Sequence, residues 1–345
     1  MKKKILYVVN PHSGTGRKKV IENEIRERTD KNEVEFEIVH TTHRGHAEEL
    51  ARANRNDLDV VVAVGGDGTV NEVGRGLIGG KASLGIIPCG SGNGLARELE
   101  IPLRTSSAID VINDCETRMI DVLNVGENIS LNVAGVGFDA YIGHLFADRK
   151  RRGPLQYVNL IAKEYPKYEP LEYTLNIDTH IYRRKAFLIC FANSSQWGND
   201  IHIAPGANIN DGLMDVCIVS EFPNMAVPAL VISLLAQSID TNKYDEMIRA
   251  REVELMNTED VLGHVDGEPI VIKPHTKVWI SPNALSVVAP SAAYFESQRF
   301  NPSKIRDMVV SKGSEIRNTA TEIRNTARER AKDSINEIKQ ILEDL

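Results

Sequence analysis

The stretch VVVAVGGDGTVNEVGRGL, residues 60–77, constrains the fold more than any other part of the chain. The unbroken apolar run Val60 to Val64 suits a strand covered on both faces, the condition inside a parallel sheet flanked by helices. It stops at Gly65-Gly66-Asp67-Gly68-Thr69, and Val70, Val73 and Leu77 then recur at helical spacing. Glycine loses more backbone entropy on folding than any other residue, so three in four positions mark a geometric demand. Either the chain only turns sharply here, or its backbone must touch something.

The same alternation runs through the first part of the chain. Strands are expected at Ile5–Val9, Val34–His40, Val60–Val64 and Leu84–Ile87, with helices at Lys18–Arg28, His46–Asn54, Val70–Leu77 and Gly94–Leu99. Near-continuous apolar strands separated by helices predict an α/β domain with a parallel sheet, whose ligands bind beyond the carboxyl ends of the strands. From about residue 119 the pattern changes to short β-like runs, among them MIDVLNV, ISLNVAGVGF, KAFLICFAN, LMDVCIV and LSVVAP, which predict an antiparallel β domain. Helical stretches interrupt it at Pro154–Tyr165 and Met225–Ile239. A polar tail, 301–345, repeats EIRNTAT as EIRNTAR and carries Ile316, Ala320, Ile323 and Ala327 at three- and four-residue steps. This predicts an amphipathic helix; its balanced charge suits a coiled coil or packing on the body better than an anionic bilayer.

Three of the four expected strands end in glycine-containing loops that precede helices: NPHSGTGR (10–17), GGDGT (65–69) and PCGSGNGLAR (88–97). The remaining one ends in HTTHRGHA, which offers hydroxyls. Backbone N–H groups in such loops converge on phosphate oxygens, and helix N-termini add a favourable dipole. Three loops on one sheet edge make a polyphosphate-sized cradle. The spacing of a P-loop and the dinucleotide fingerprint are both missing, which disfavours those two classes. A carboxylate inside a phosphate cradle repels its ligand unless a cation intervenes, and Mg²⁺ is the natural mediator for Asp67. The alternative is that Asp67 caps the next helix.

Composition narrows the partners. With 345 residues the chain has room for two domains, and a net charge of −7 argues against general nucleic-acid binding. The four cysteines are scattered without a C-x-x-C, as expected of reduced thiols in a cytoplasm. The N-terminal apolar run is too short for a signal peptide, and the segment 226–239 falls short of the roughly 20 residues that span a bilayer.

GGDGTVNEV, NPHSG and PCGSGNGLAR resemble the nucleotide-binding loops of the diacylglycerol kinase catalytic domain family, which includes bacterial soluble lipid kinases, sphingosine kinases and ceramide kinases. IDVLNV (120–125), NVAGVGFDA (132–140), DGLMDV (211–216) and VDGEPI (265–270) follow in the family's order. The resemblance covers about residues 3–300. It implies a phosphofructokinase-like ATP-binding domain (1–118, joined by about 286–300), a β-sandwich lipid-substrate domain (119–285), and the helical tail outside it. It further implies an ATP- and Mg²⁺-dependent kinase acting on the hydroxyl of a membrane lipid such as diacylglycerol, at the inner membrane face of the cytoplasm, with a homodimer compatible with the family.

Carried over by position, the resemblance assigns ATP to Asn10, Pro11, Ser13, Gly14, Thr41, Thr42, Gly65, Gly66, Gly68, Thr69 and Ser91, with Glu72 and Asn93 in support. Asp67 would serve the catalytic Mg²⁺, and Asp121 a metal–water network. Asp211, with Asn208 and Leu213 supplying backbone oxygens, would match a structural Mg²⁺ site. Glu268 would be the general base on the lipid hydroxyl. A carboxylate on a tight Asp-Gly turn between two strands is held rigidly enough for that role, although the same residues also make a plain hairpin. Asp215 and Asp266 are open between catalytic and structural roles. Asp139 in GVGFDA suits a polar lipid head or a buried, hydrogen-bonded structural role. PCGSGNGLA is nearer the sphingosine kinase loop, so a sphingoid base is the alternative substrate. An NAD kinase-like enzyme, which also uses GGDGT, and a non-catalytic nucleotide-binding scaffold are further readings.

A lipid kinase must meet a membrane. Arg149-Lys150-Arg151-Arg152 beside Tyr157, Leu160 and Ile161 offers charge next to an apolar helix; each basic residue near an anionic surface contributes about 1 kcal/mol. The alternative is a solvated loop over a packed helix. Replacing all four by Ala is expected to weaken co-sedimentation with anionic vesicles; unchanged binding would rule this segment out as the contact.

Overall fold

Strand β3 (Val60–Gly65) is buried at every residue, and so is β4 (Ser83–Pro88), because helices cover both faces of their sheet. β3 pairs in parallel with β1 (Lys3–Val9) on one side and β4 on the other, and β1 pairs in parallel with β2 (Val34–His40). The connections are α1 (Lys18–Arg28), α2 (His46–Asn54) and α3 (Asp67–Leu77), followed by α4 (Gly94–Glu98) and α5 (Thr105–Asp114). Ile25, Val73, Leu77, Ile109 and Ile112 of these helices are buried with the strand residues. Each such side chain contributes about 1.5–3 kcal/mol by leaving water.

The computed structural model describes residues 2–13, 18–147, 154–199, 201–223, 226, 230, 233, 234 and 236–299. Gly14, Arg149 to Arg152, most of the helical stretch expected at 225–239, and the tail 301–345 lie outside the described residues. The chain divides into two units, Met1–Pro290 and Ser291–Leu345; of the second, the helix Ala292–Arg299 is described. Three details differ from the sequence pattern. Helix α3 begins at Asp67, three residues before its first apolar side chain, and neither α5 nor the helix Phe138–Ala147 is among the expected elements.

The second lobe is an antiparallel β-sandwich. Its strands are β5 (Thr117–Val125), β6 (Asn128–Ser130), β7 (Val133–Gly137), β8 (Leu171–Ile177), β9 (His180–Ala192), β10 (Gln196–Gly198), β11 (Ile201–His202), β12 (Met214–Ser220), β13 (Asp245–Ala250), β14 (Glu252–Leu255), β15 (Val261–Val265), β16 (Glu268–Ile272) and β17 (Thr276–Val288). The main order is β16-β15-β7-β9-β8-β14-β17, with β12 on β9 and β13 on β12. One core gathers Val136, Leu175, Ile189, Phe191, Val216 and Val278. A second packs Phe138 and Ile142 of α6 (Phe138–Ala147) and Leu160 of α7 (Pro154–Glu164) with Cys190, Cys217 and Val219. No described helix is long and apolar enough to cross a membrane.

Strand β17 joins the lobes. Its first half pairs with β14 and β5 in the sandwich. Beyond a bulge between Ser281 and Leu285, Val287 pairs in parallel with Leu84 of β4 while the same strand keeps its ladder with β5. Asp121 of β5 sits beside that bulge, fully buried. Its Oδ1 accepts the Asn283 N–H at 2.8 Å and its Oδ2 the Gly212 N–H at 2.6 Å. Asn283 is left-handed, with φ 49°, so its amide points inward and must be satisfied there. Replacing Asp121 by Ala strands both donors and is expected to lower stability by about 2–5 kcal/mol, measured by urea unfolding.

Candidate active site

The carboxyl ends of β1, β3 and β4 bring their loops together. Asn10, just after β1, donates from Nδ2 to Thr69 Oγ1 at 3.0 Å, and its Oδ1 accepts the His12 N–H at 2.9 Å. Ser13 donates from Oγ to the Asn10 carbonyl at 3.1 Å, so the first loop is folded on itself and tied to the second. Pro11 and Ser91 are exposed on the described surface. Thr41 is buried, donating its N–H to Val9 O, whereas Thr42 is exposed and bonds the imidazoles of His43 and His46.

Gly66 and Gly90 explain why the loops need glycine. A Cβ on Gly66 would lie 3.2 Å from Gly90 Cα, and one on Gly90 only 2.8 Å from Gly66 Cα. The two backbones meet directly, so side chains there would push the loops apart. Asn93, left-handed at φ 51°, clasps Gly90 with both ends of its amide, at 2.9 and 2.8 Å.

Asp67 is the link between these loops. Its Oδ1 accepts the Gly94 N–H at 2.7 Å and its Oδ2 the Asn93 N–H at 2.9 Å. It does cap a helix, but that helix is α4; its own helix, α3, starts with Gly66 at the N-cap and no side-chain cap. Burial pushes the Asp67 carboxyl above the usual carboxylate range, the two backbone N–H groups oppose that, and the nearby Asp266 adds to it. A half-buried carboxylate short of positive charge among these glycine turns suits a cation that arrives with its own oxygen ligands.

Glu268 lies at the start of β16, and a Cβ at position 68 would stand 3.3 Å from its Oε1. The structure thus brings Glu268 over the glycine turn that begins α3. The turn that carries it is Asp266-Gly267, with φ 47° and 80°, a geometry that Asp tolerates and glycine accepts freely. Asp266 has five donors on one carboxylate. Ser130 Oγ (2.6 Å), Asn132 N (2.9 Å) and Val133 N (3.1 Å) reach Oδ1; Asn71 Nδ2 (2.7 Å) and Leu131 N (2.9 Å) reach Oδ2. Asn71 belongs to α3, one helical turn after Asp67, so the hairpin is fastened to the helix whose first turn carries the glycines.

The remaining expected residues lie elsewhere. Glu72 takes the N–H groups of Gly45 (3.0 Å) and Ala47 (3.3 Å), holding the start of α2. Asp121 and the loop 208–213 form a separate cluster: Asp211 accepts the Leu213 N–H at 3.1 Å and pairs with Arg249, Asn208 Oδ1 faces the Asn210 N–H at 3.4 Å, and Asp215 lies 3.4 Å from Arg249. Among the described residues no group of three or more His, Cys, Asp or Glu side chains is arranged to hold a metal ion. Asp139 is bonded to His264 Nε2 at 2.9 Å and to its neighbour's N–H at 2.8 Å, both partners being buried; His264 Nδ1 faces the Gly267 N–H at 3.4 Å.

Sequence reasoning missed Arg44, whose Nη2 donates to Glu268 Oε2 at 2.6 Å across the two lobes. The available signal was position alone: it sits in the loop after β2, at the same sheet edge as the glycine loops. Glu98, which accepts from Ser195 Oγ at 2.6 Å, was also missed, as was His202, 3.1 Å from that hydroxyl.

Residues 4–125 match the description of the diacylglycerol kinase catalytic domain, and residues 132–289 that of the YegS C-terminal NAD kinase beta sandwich-like domain. A relative from Chromohalobacter salexigens named "Probable lipid kinase YegS-like" is 29% identical over 256 residues, 72% of this chain and 82% of the relative. A Staphylococcus epidermidis protein named "Diacylglycerol kinase" is 26% identical over 275 residues, 78% of this chain and 86% of its own. A crystal structure of a diacylglycerol kinase from Bacillus anthracis superposes with a TM-score of 0.65 at 18% identity, covering 84% of this chain and 98% of that one, a likeness of fold.

Asp266→Asn keeps the turn residue's tolerance for positive φ but sets an amide among five donors. It is expected to cost about 2–4 kcal/mol of stability in urea unfolding and to lower turnover by loosening Glu268.

Proposed function

Since the chain belongs to the diacylglycerol kinase catalytic domain family, whose members are lipid kinases, we propose that it transfers the γ-phosphoryl group of ATP to the hydroxyl of a membrane lipid such as diacylglycerol. The observation that carries this reading is the approach of Glu268 to Gly68, beside Asp67 and the N-terminus of α3. Backbone N–H groups of the glycine turns and the dipole of α3 receive phosphate oxygens. Glu268 accepts the hydroxyl proton as the new O–P bond forms and the bond to the β,γ-bridging oxygen breaks, releasing ADP. Asp67 would hold Mg²⁺ together with the nucleotide's oxygens, and that ion supplies charge neutralisation at the transferring phosphoryl group. The donor set fits such a nucleotide-borne ion, since Asp67 is one half-buried carboxylate and no cage of three or more metal-ligating side chains occurs among the described residues.

At the loop 208–213 the fit is different. A cation on Asp211 would have to displace Arg249, so the present partners favour an ion pair there. Asp139 is engaged by His264, which supports a structural contribution to the Glu268 hairpin.

The test is an ATP assay with diacylglycerol, a sphingoid base, ceramide and NAD side by side. Labelled phosphate is expected on diacylglycerol. Transfer to none of them, with ATP still bound, would replace the kinase reading with a nucleotide-binding scaffold. Asp67→Ala is expected to abolish Mg²⁺-dependent turnover. Glu268→Gln is expected to keep ATP binding and to lose about 10²–10⁴-fold in kcat; a variant with wild-type kcat would remove Glu268 from the mechanism.

A further inference from the structure

We propose that Arg44 is a catalytic residue, whose guanidinium rests on Glu268 and passes to the transferring phosphoryl group when ATP binds. The proposal rests on the kinase reading above and adds to it a cation beside the glycine turn that begins α3. Arg17 of the first loop lies outside the described residues, and the described loop residues 10–13, 65–69 and 88–94 include no Lys or Arg, while the carboxylates of Asp67 and Asp266 lie near one another and Glu268 reaches over Gly68. Arg97, in the helix that follows, donates to the Gly92 carbonyl at 3.1 Å. A nucleotide triphosphate entering that field needs positive charge from the protein as well as from its own metal ion.

Arg44 is built to supply it. Its backbone is held: Glu72 of α3 takes the N–H groups of Gly45 and Ala47, and Gly45 adopts φ 87°, which lets the chain turn between Arg44 and α2. Its side chain is 81% exposed and engaged at its tip with a carboxylate that is itself 46% exposed. An ion pair so open to water contributes about 0–1 kcal/mol, so the guanidinium leaves Glu268 at little cost. A phosphoryl group offers it the bidentate, doubly charged acceptor that its planar fork matches best. When Arg44 moves to phosphate, the Glu268 carboxylate oxygen it covered is left open to the lipid hydroxyl. The atoms balance as in the reaction itself, with the proton passing to Glu268 and Arg44 remaining protonated throughout.

The experiment compares Arg44→Ala, Arg44→Lys, Glu268→Gln and the Arg44→Ala/Glu268→Gln pair, using ATP with diacylglycerol for turnover and the β,γ-imido analogue of ATP for binding. Arg44→Ala is expected to lower kcat about 10²–10³-fold with less than a tenfold change in analogue affinity. Lysine, or added guanidinium ion, is expected to restore part of the loss. The double variant is expected to be slower than Glu268→Gln, since Arg44 acts on the phosphoryl group. If Arg44→Ala keeps a wild-type kcat while Glu268→Gln is inactive, the role of Arg44 is overturned and the base stands. If Glu268→Gln is fully active, the base reading fails, and a loss in Arg44→Ala still supports the contact with phosphate. A double variant no slower than Glu268→Gln would overturn the phosphoryl contact and leave Arg44 as a positioning residue for Glu268.

Discussion

Five hydrogen bonds converge on the carboxylate of Asp266, and the geometry of the site follows from them. One comes from Asn71 of α3, the others from the segment 130–133 at the start of β7. Two separate pieces of chain are thereby fixed against one charge on the hairpin. A satisfied network in a low-dielectric interior is rigid, and a partly satisfied one is costly, so none of its members is easily exchanged. Glu268, two residues further along, takes its backbone position from this knot, and its side chain meets Arg44. Its reach over Gly68 is a consequence of how Asp266 is bound.

A second constraint works from the other side. Asp67 holds the N–H groups of Asn93 and Gly94, and Gly66 rests against Gly90. The loops after β3 and β4 therefore behave as one piece, with Asn10 tying in the loop after β1. Asp139 and His264 brace the turn end of the hairpin that carries Glu268. The glycine loops and the Glu268 hairpin are each prearranged by hydrogen-bonded polar groups. Preorganisation of this kind is what phosphoryl transfer asks of a protein, since positioning and charge supply most of the rate.

Much of this was legible in the sequence, because it is written locally. The apolar runs, the helical spacing after each glycine loop, and the Asp-Gly turn are all patterns within about ten residues. The bounds of α1, β2 and α2 match what spacing alone indicates. What escaped is what depends on pairs far apart. Asp67 and Gly94 are 27 positions apart, Asp266 and Asn71 are 195, and Arg44 and Glu268 are 224. A lone arginine in a polar loop has no period and no neighbour to mark it. Asp67 shows a subtler limit: local reasoning offered it a cap on the helix that follows or a cation to hold, and its carboxylate in fact closes the start of a different helix. Helix α5 escaped because Thr105 and two serines open it, residues that favour caps and turns over helix interiors.

The passage of β17 from one lobe to the other bears on how such a chain can be inherited and taken apart. β4 has β3 on one side and β17 on the other, and β5 has β17 and β6 as its partners. A fragment ending near residue 125 would carry the glycine loops intact yet leave β4 with a bare edge and β5 with no partner. Such edges are templates for strand pairing between molecules. The two lobes match two separate family descriptions, but they share a strand, and neither completes its own sheet without the other. For this chain the unit that can be shuffled, truncated or fused is the pair.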